Sequence, residues 1–508
     1  MKLSRLFQFL IIASLLMTVG GFPSQQTYAV KAHPMLAEMA IQNPSQPVRV
    51  IVQKATGSTG AEEAVISLGG RVTQDLQIIN AFAAEMTAGA AEKLARTESV
   101  RWVSLDAVMA SSACAQCIDT KNLANTYIYT IRADKVWNNS KYLQGQGIGV
   151  AVVDSGMNPN GDFYTLMGVN RQVMDVRFNN DYNQSTSDGY GHGTHVASVI
   201  GGDGSESGGK YIGVAPMVNL INVKVSNDDG SARMTDVILG LQWILQNKNN
   251  YNIRVVNLSL NSTIAESYHT NPLDAAVEIL WFNKIVVVAS AGNSGDGAIY
   301  PPANDPFVIT VGATDDRGTK PLNDDVMASF SAYATTIDGF NKPDIVAPGR
   351  NIVARIVNMN MGMAKDHPAN KVSNEYFRMS GTSVSAPMVS GAIALLLQDE
   401  PNLTPDQVKY RLMATANKQW AGYDANMAGA GYLDVVAAID GTTTQSANTG
   451  ILPSQLLSTG TKPITFGSVG WNSVGWNSVG WNSVGWNSVG WNSVGWNSVG
   501  WNSDYWGP

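Results

Sequence analysis

Four short segments are almost unbroken apolar runs rich in β-branched residues: Gly149-Val-Ala-Val-Val153, Leu220-Ile-Asn-Val-Lys224, Val255-Val-Asn-Leu258 and Ile285-Val-Val-Val-Ala289. Runs of this kind cannot set an apolar face against a wet one, so each reads as a strand covered on both sides. Helical segments are expected between and after them, at Thr235 to Gln246, Pro272 to Trp281, Ser383 to Gln398 and Pro405 to Thr415. Strand alternating with helix predicts an α/β fold with a doubly wound parallel sheet, over residues 121–440.

A smaller pattern precedes this body. Val48 to Lys54 reads as a strand, Gly60 to Leu68 as a helix stopped by Gly69-Gly70, Arg71 to Met86 as strand-rich, Ala88 to Thr97 as a helix and Val100 to Ser104 as a last strand. That order is the one of a small ferredoxin-like α+β unit, over residues 47–112. Further upstream, Lys2 and Arg5 precede the apolar stretch Leu6 to Val19, and Thr27-Tyr28-Ala29 offers a small-residue cleavage site. Residues 1–29 therefore read as a secretory signal peptide, with an uncleaved anchor helix as the competing reading. The net charge of −7 and the absence of a basic run exclude bulk electrostatic recruitment of nucleic acid. The two cysteines, Cys114 and Cys117, lack further ligands at zinc spacing and suggest a small local disulfide or two idle thiols.

Three motifs sit at the ends of the body's elements. Asp154-Ser155-Gly156 follows the first strand and puts a carboxylate at its C-terminal edge, where open α/β sheets build their sites. Gly191-His192-Gly193-Thr194-His195 and Gly381-Thr382-Ser383-Val384-Ser385-Ala386-Pro387 each open a helix. A serine hydroxyl becomes a useful nucleophile only when a histidine takes its proton, and that histidine needs a carboxylate to fix its tautomer. His195, three residues after His192, is expected to hydrogen-bond within the helix or core.

In the order Asp, His, Ser, these motifs resemble those of the subtilisin-like serine peptidase family, over about Ile131 to Asp440. The resemblance implies Ser383 as nucleophile, His192 as general base and Asp154 as the orienting carboxylate. It also implies Asn293, in Ala289-Ser-Ala-Gly-Asn293-Ser, as side-chain donor to an oxyanion, with the Ser383 N–H as second donor. Substrate would add as a strand between Ser259-Leu260-Asn261 and Asp229-Gly230-Ser231-Ala232. The family's usual motif has glycine where Asn261 stands, so a side chain there is expected to narrow the channel or change the preferred residue. The unit at 47–112 would be an inhibitor-type propeptide, cut off between Ala107 and Lys121 and acting until then as an intramolecular inhibitor. Relatives often carry structural calcium. Asp181, Asp203 and Asp228 lie in loops without a contiguous calcium-loop pattern and read as solvated carboxylates; no cofactor is expected, and structural calcium stays open.

From Gly441 the composition shifts to Thr, Ser, Gly and Asn, and Ser-Val-Gly-Trp-Asn recurs every fifth residue from Ser468 to the copy at Ser498. One Trp and one Gly in every five residues cannot build an ordinary core, and Gly and Asn disfavour a helix. Residues 441–508 are read as a low-complexity extension, open to three roles: a disordered linker-like tail, an aggregation-prone aromatic segment, and surface or carbohydrate attachment through exposed Trp, with an adhesive extension favoured. Two functions follow from the sequence: a secreted serine endopeptidase made as a self-processed zymogen and acting on proteins or peptides, and an exported adhesion protein with an inactive fold and a Trp-repeat tail.

Overall fold

The computed structural model describes residues 31–56, 60–107, 117–165, 168–179, 185–357, 359–360, 362–457 and the backbone of 499–500. The signal segment, Cys114, most of the linker after Asp106, Asp181 and the repeats apart from Val499–Gly500 lie outside the described residues. Contacts divide the chain into two compact units, Met1–Ala115 and Gln116–Pro508.

The first unit follows the expected order with one extra helix in front. Helix α1 (Pro34–Gln42) precedes β1 (Pro47–Lys54), α2 (Ala61–Ser67), β2 (Arg71–Leu76), β3 (Ala81–Thr87), α3 (Ala88–Leu94) and β4 (Val100–Leu105). The four strands form one antiparallel sheet in the order β2-β3-β1-β4. Along β1 the side chains alternate, and Val48, Val50 and Val52 enter a core with Phe82, Met86, Leu94 and Val103. On the opposite face charges pair instead, as where Arg71 donates to Glu85 at 2.7 Å. This period-2 alternation marks a sheet with one wet side.

The second unit is the doubly wound body. Its strands include β5 (Gly149–Asp154), β6 (Gln172–Arg177), β7 (Asn219–Lys224), the short β8 (Ser231–Ala232), β9 (Ile253–Leu258), β10 (Val286–Ser290), β11 (Ile309–Asp315), β12 (Val326–Met327) and β13 (Ile345–Pro348). Eight of them form one sheet, in which β12-β11-β10-β9-β5-β7-β6 run side by side and β13 also pairs with β11. Every ladder is parallel except that of β12. Every residue of β5 and β10 is buried, which explains their continuous apolar character; each buried Val contributes about 1.5–3 kcal/mol of transfer free energy. The chain leaves β5 toward β6 on one side and later crosses to β9 on the other, so the order of strands reverses at β5. A crevice opens at such a switch point, beyond the carboxyl ends of the strands.

Two pairs of helices flank the sheet. Helix α4 (His192–Gly201) packs on the long α7 (Thr382–Asp399), and α5 (Met234–Asn247) packs on α6 (Pro272–Phe282). The ends of α6 and α8 (Pro405–Ala414) follow ordinary capping chemistry. Asn271 accepts from the N–H groups of Leu273 and Asp274, while Thr404 and Gln407 form a reciprocal capping box, each ahead of or around a proline in the first turn. Trp243 on α5 packs against the core and stacks on Tyr251. Among the described residues, no helix is long and apolar enough to cross a membrane. Cys117 is disulfide-bonded.

Candidate active site

Asp154 is the last residue of β5, at the strand reversal, and is completely buried. Its carboxylate meets the imidazole of His192, the first residue of α4, with Nδ1 at 2.9 Å from Oδ1 and 3.1 Å from Oδ2. A carboxylate can only accept, so Nδ1 carries the proton and Nε2 is the basic nitrogen of the ring. Burial pushes the Asp154 carboxyl above its ordinary range, while His192 and the Ser155 N–H pull it back toward the charged form.

Two glycines let these groups approach. Gly191, just before the helix, has φ +100°, which an L side chain resists. At Gly193, a Cβ would lie 2.1 Å from the Gly156 carbonyl oxygen and 2.9 Å from Asp154 Oδ1. Any side chain there would push α4 away from the carboxylate.

Asp188 is a buried carboxylate that sequence reasoning missed. Its Oδ1 accepts from the Gly191 N–H at 2.7 Å and the Ser155 hydroxyl at 2.8 Å, and its Oδ2 accepts from the Thr194 N–H and hydroxyl, both at 2.7 Å. Four donors on one carboxylate clamp the N-terminus of α4 to the turn after Asp154, and the negative charge suits a helix start. Its position four residues ahead of a histidine in a glycine-rich helix start was the available signal.

Ser383 lies in the first turn of α7, where backbone N–H groups have no acceptor within the helix. Pro387, four residues on, has no N–H to give to the Ser383 carbonyl. The Ser259 hydroxyl takes that place, donating to the Ser383 carbonyl at 2.8 Å. Ser259 is itself held by Asn257 Nδ2 at 2.9 Å, and Asn257 accepts from Ser390 Oγ at 2.9 Å. The side chain of Ser259 is therefore spent on anchoring the helix that carries Ser383.

Asn293 sits against the same turn. Its Oδ1 accepts from the Thr382 N–H at 2.8 Å and the Thr382 hydroxyl at 3.1 Å. Both contacts fix the amide so that Nδ2 is the end left over, and that atom is buried with no hydrogen-bond partner among the described residues. A buried amide donor without an acceptor is costly, on the order of 1–3 kcal/mol, and marks a place where an acceptor belongs.

The side chain of Asn261 differs from expectation. It is buried, and Nδ2 donates to the Ser290 carbonyl at 2.8 Å while Oδ1 accepts from the Ser290 hydroxyl at 3.3 Å. The amide ties the segment after β9 to the end of β10, so the extra side chain is absorbed into the wall. Leu260 is buried between these two residues. Gly230, at φ +83°, turns the chain into β8.

The remaining candidates stay apart. His195 is buried, its Nε2 bonded to the Phe377 carbonyl at 3.1 Å, and burial with the neighbouring His192 lowers its pKa to about 3. The ring is neutral when folded but gains a proton near its ordinary 6.5 when unfolded. Stability is thus fully present above pH 6.5 and falls as pH drops toward 3, by about 1.4 kcal/mol per unit. Between pH 6.5 and 5, urea unfolding should therefore show the unmodified chain losing about 2 kcal/mol relative to His195→Gln, because buried carboxyls that shift the other way, such as Asp305 and Asp325, titrate alike in both. Of the loop carboxylates, Asp203 accepts from the Ser205 N–H at 2.9 Å and Asp228 binds Lys224 Nζ at 2.6 Å. Among the described residues no three acidic, His or Cys side chains converge on one point.

The position of each element now defines the class. A parallel sheet that reverses at the aspartate, with histidine and serine at the starts of two helices packed on each other, is the arrangement of subtilisin-like serine peptidases. The subtilase family model matches residues 145–432, more than half of the chain, and the chain belongs to that family. It is 39% identical over 332 residues to serine protease AprX of Bacillus subtilis (strain 168), covering 64% of this chain and 73% of the relative. Subtilisin DY of Bacillus licheniformis is 31% identical over 312 residues, covering 61% and 96%, and subtilisin Savinase of Lederbergia lenta 32% over 300 residues, covering 59% and 93%.

Proposed function

We propose that this chain is a secreted serine endopeptidase that works through an acyl-enzyme, with Asp154, His192 and Ser383 as its triad. The observation that carries the reading is the buried Nδ2 of Asn293, whose amide is held by Thr382, the residue before Ser383, and which has no acceptor among the described residues. Ser383 Oγ attacks the scissile carbonyl carbon as His192 Nε2 takes its proton. The carbonyl oxygen becomes negative and moves onto two donors, Asn293 Nδ2 and the Ser383 N–H. His192 then gives the proton to the departing amine, and a water repeats the sequence to free the acid. Asp154 holds the ring tautomer and stabilises the imidazolium.

Substrate pairs through its main chain with the segments at 259–261 and 229–232. The side chains of Ser259 and Asn261 act behind that surface, in anchoring the nucleophile's helix and joining β9 to β10. Asn293→Ala is expected to lower kcat about 10²–10³-fold with little change in KM, measured on a peptide substrate.

Residues 1–29 act as the export signal, and residues 47–112 form a propeptide that assists folding and then inhibits until cut. The physical reason is that a parallel sheet assembled from distant segments closes slowly and gains from a template. N-terminal sequencing of the protein recovered from the medium tests this. The expected start lies between Ala107 and Lys121, and a start before residue 100 would overturn the propeptide assignment.

A further inference from the structure

Peptide hydrolysis leaves the pentapeptide tail without a role, yet the tail touches the catalytic unit at a telling place. Val499–Gly500 forms a short strand, β14, that pairs antiparallel with β8, Val499 opposite Ala232 and Gly500 opposite Ser231. On its other side, Ala232 bridges Ser226, whose N–H reaches the Asp154 carbonyl at 3.3 Å. Within its own turn, Ser231 spends its N–H on Asp229 Oδ1 at 2.8 Å and its carbonyl on the Asn227 N–H at 2.7 Å. The edge that receives the tail is thus tied through Ser226 to the end of β5, next to Asp154.

We propose that the Val-Gly step of the repeat is a built-in ligand for this edge, so that the tail adds itself as a strand where peptide substrate adds and competes with it. This rests on the reading of 229–232 as a substrate edge. Strand addition depends on main-chain groups and tolerates many side chains, and an exposed edge accepts any extended segment that reaches it. Glycine in the paired position lets the two backbones come close. The repeat offers the same Val-Gly step every fifth residue from Ser468 to Ser498. A tethered ligand in many equivalent copies acts at an effective concentration on the order of millimolar, so weak intrinsic affinity is enough.

The test compares three forms of the processed enzyme: the full chain, a form ending at residue 457, and a full-length form with proline in place of the valine of every repeat. Proline removes the N–H of the residue opposite Ala232 while keeping the tail's length and tryptophans. Removing the tail, or replacing its valines with proline, should lower KM for a peptide substrate about tenfold and leave kcat unchanged. A second measurement is independent of turnover: the synthetic peptide GWNSVGWNSVG is titrated by calorimetry into the form ending at 457, and into the same form carrying Ala232→Pro. Binding to the first and its loss in the second supports the proposal. Equal KM in all three forms, or no binding at millimolar peptide, overturns it, even if hydrolysis is normal. Absence of hydrolysis in every form would instead remove the peptidase reading, and the titration would still decide whether the tail binds the edge.

Discussion

Replacing Ser383 with alanine will reduce peptide hydrolysis about a millionfold, the magnitude known for loss of the nucleophile in subtilisins. The hydroxyl makes the only covalent bond the mechanism asks of the protein, and alanine leaves nothing that can attack. What remains is substrate binding and the donors around Asn293, which by themselves sustain about 10³–10⁴-fold over water. The change should be quiet structurally, because the groups that hold this turn are the Ser383 carbonyl on Ser259 and the Thr382–Asn293 contacts. Circular dichroism and the urea midpoint of Ser383→Ala, freed of residues 47–112 by active enzyme added in trans, should therefore match those of the processed enzyme.

Asp154→Asn is expected to lower kcat about 10⁴-fold with KM nearly unchanged. An asparagine of the same shape presents an N–H to His192 Nδ1, which can then only accept. The proton moves to Nε2, and the nitrogen that should take the Ser383 proton is already occupied. Asp188 cannot substitute, since its two oxygens are spent on Gly191, Ser155 and Thr194. Adding Asp154→Asn to Ser383→Ala should cost almost nothing further, because the two residues act in one proton transfer. Single-turnover kinetics on the three variants measure both effects. Independent, multiplicative losses would contradict the proposed unit.

Much of this site was legible before any coordinates because it lies at element ends. The strand ending in Asp154 is fully buried, so its composition had to be continuously apolar, and the glycines at 191 and 193 mark where backbone comes close. Harder to read were β6, β11 and β13. The first is a half-exposed edge with Gln, Asp and Arg in six residues, the second is interrupted by Gly312, and the third is four residues ending in proline. None carries a periodic signal of its own, and each is a strand because its neighbours supply the ladder.

Side-chain partners across the sheet were illegible for a related reason. Asn261 looked like a residue facing substrate because it replaces a glycine, and only the fold shows Ser290 within reach of its amide. Ser259 looked like part of a binding strand, and the need it meets, the unpaired carbonyl created by Pro387, arises 124 residues away. Asp188 was signalled by its place ahead of His192 and bonds locally to Gly191 and Thr194, but its bond to the Ser155 hydroxyl, 33 residues away, was not legible. These roles depend on contacts distant in sequence, which local pattern cannot supply.

The central claim, that Ser383 is activated by the Asp154–His192 pair, is tested most directly by labelling. The processed enzyme is treated with a fluorophosphonate, digested, and the modified residue located by mass spectrometry. A single label on Ser383 is expected, with labelling abolished in Ser383→Ala and strongly slowed in Asp154→Asn. A label on another residue, or peptide hydrolysis that persists with Ser383 unmodified, would contradict it.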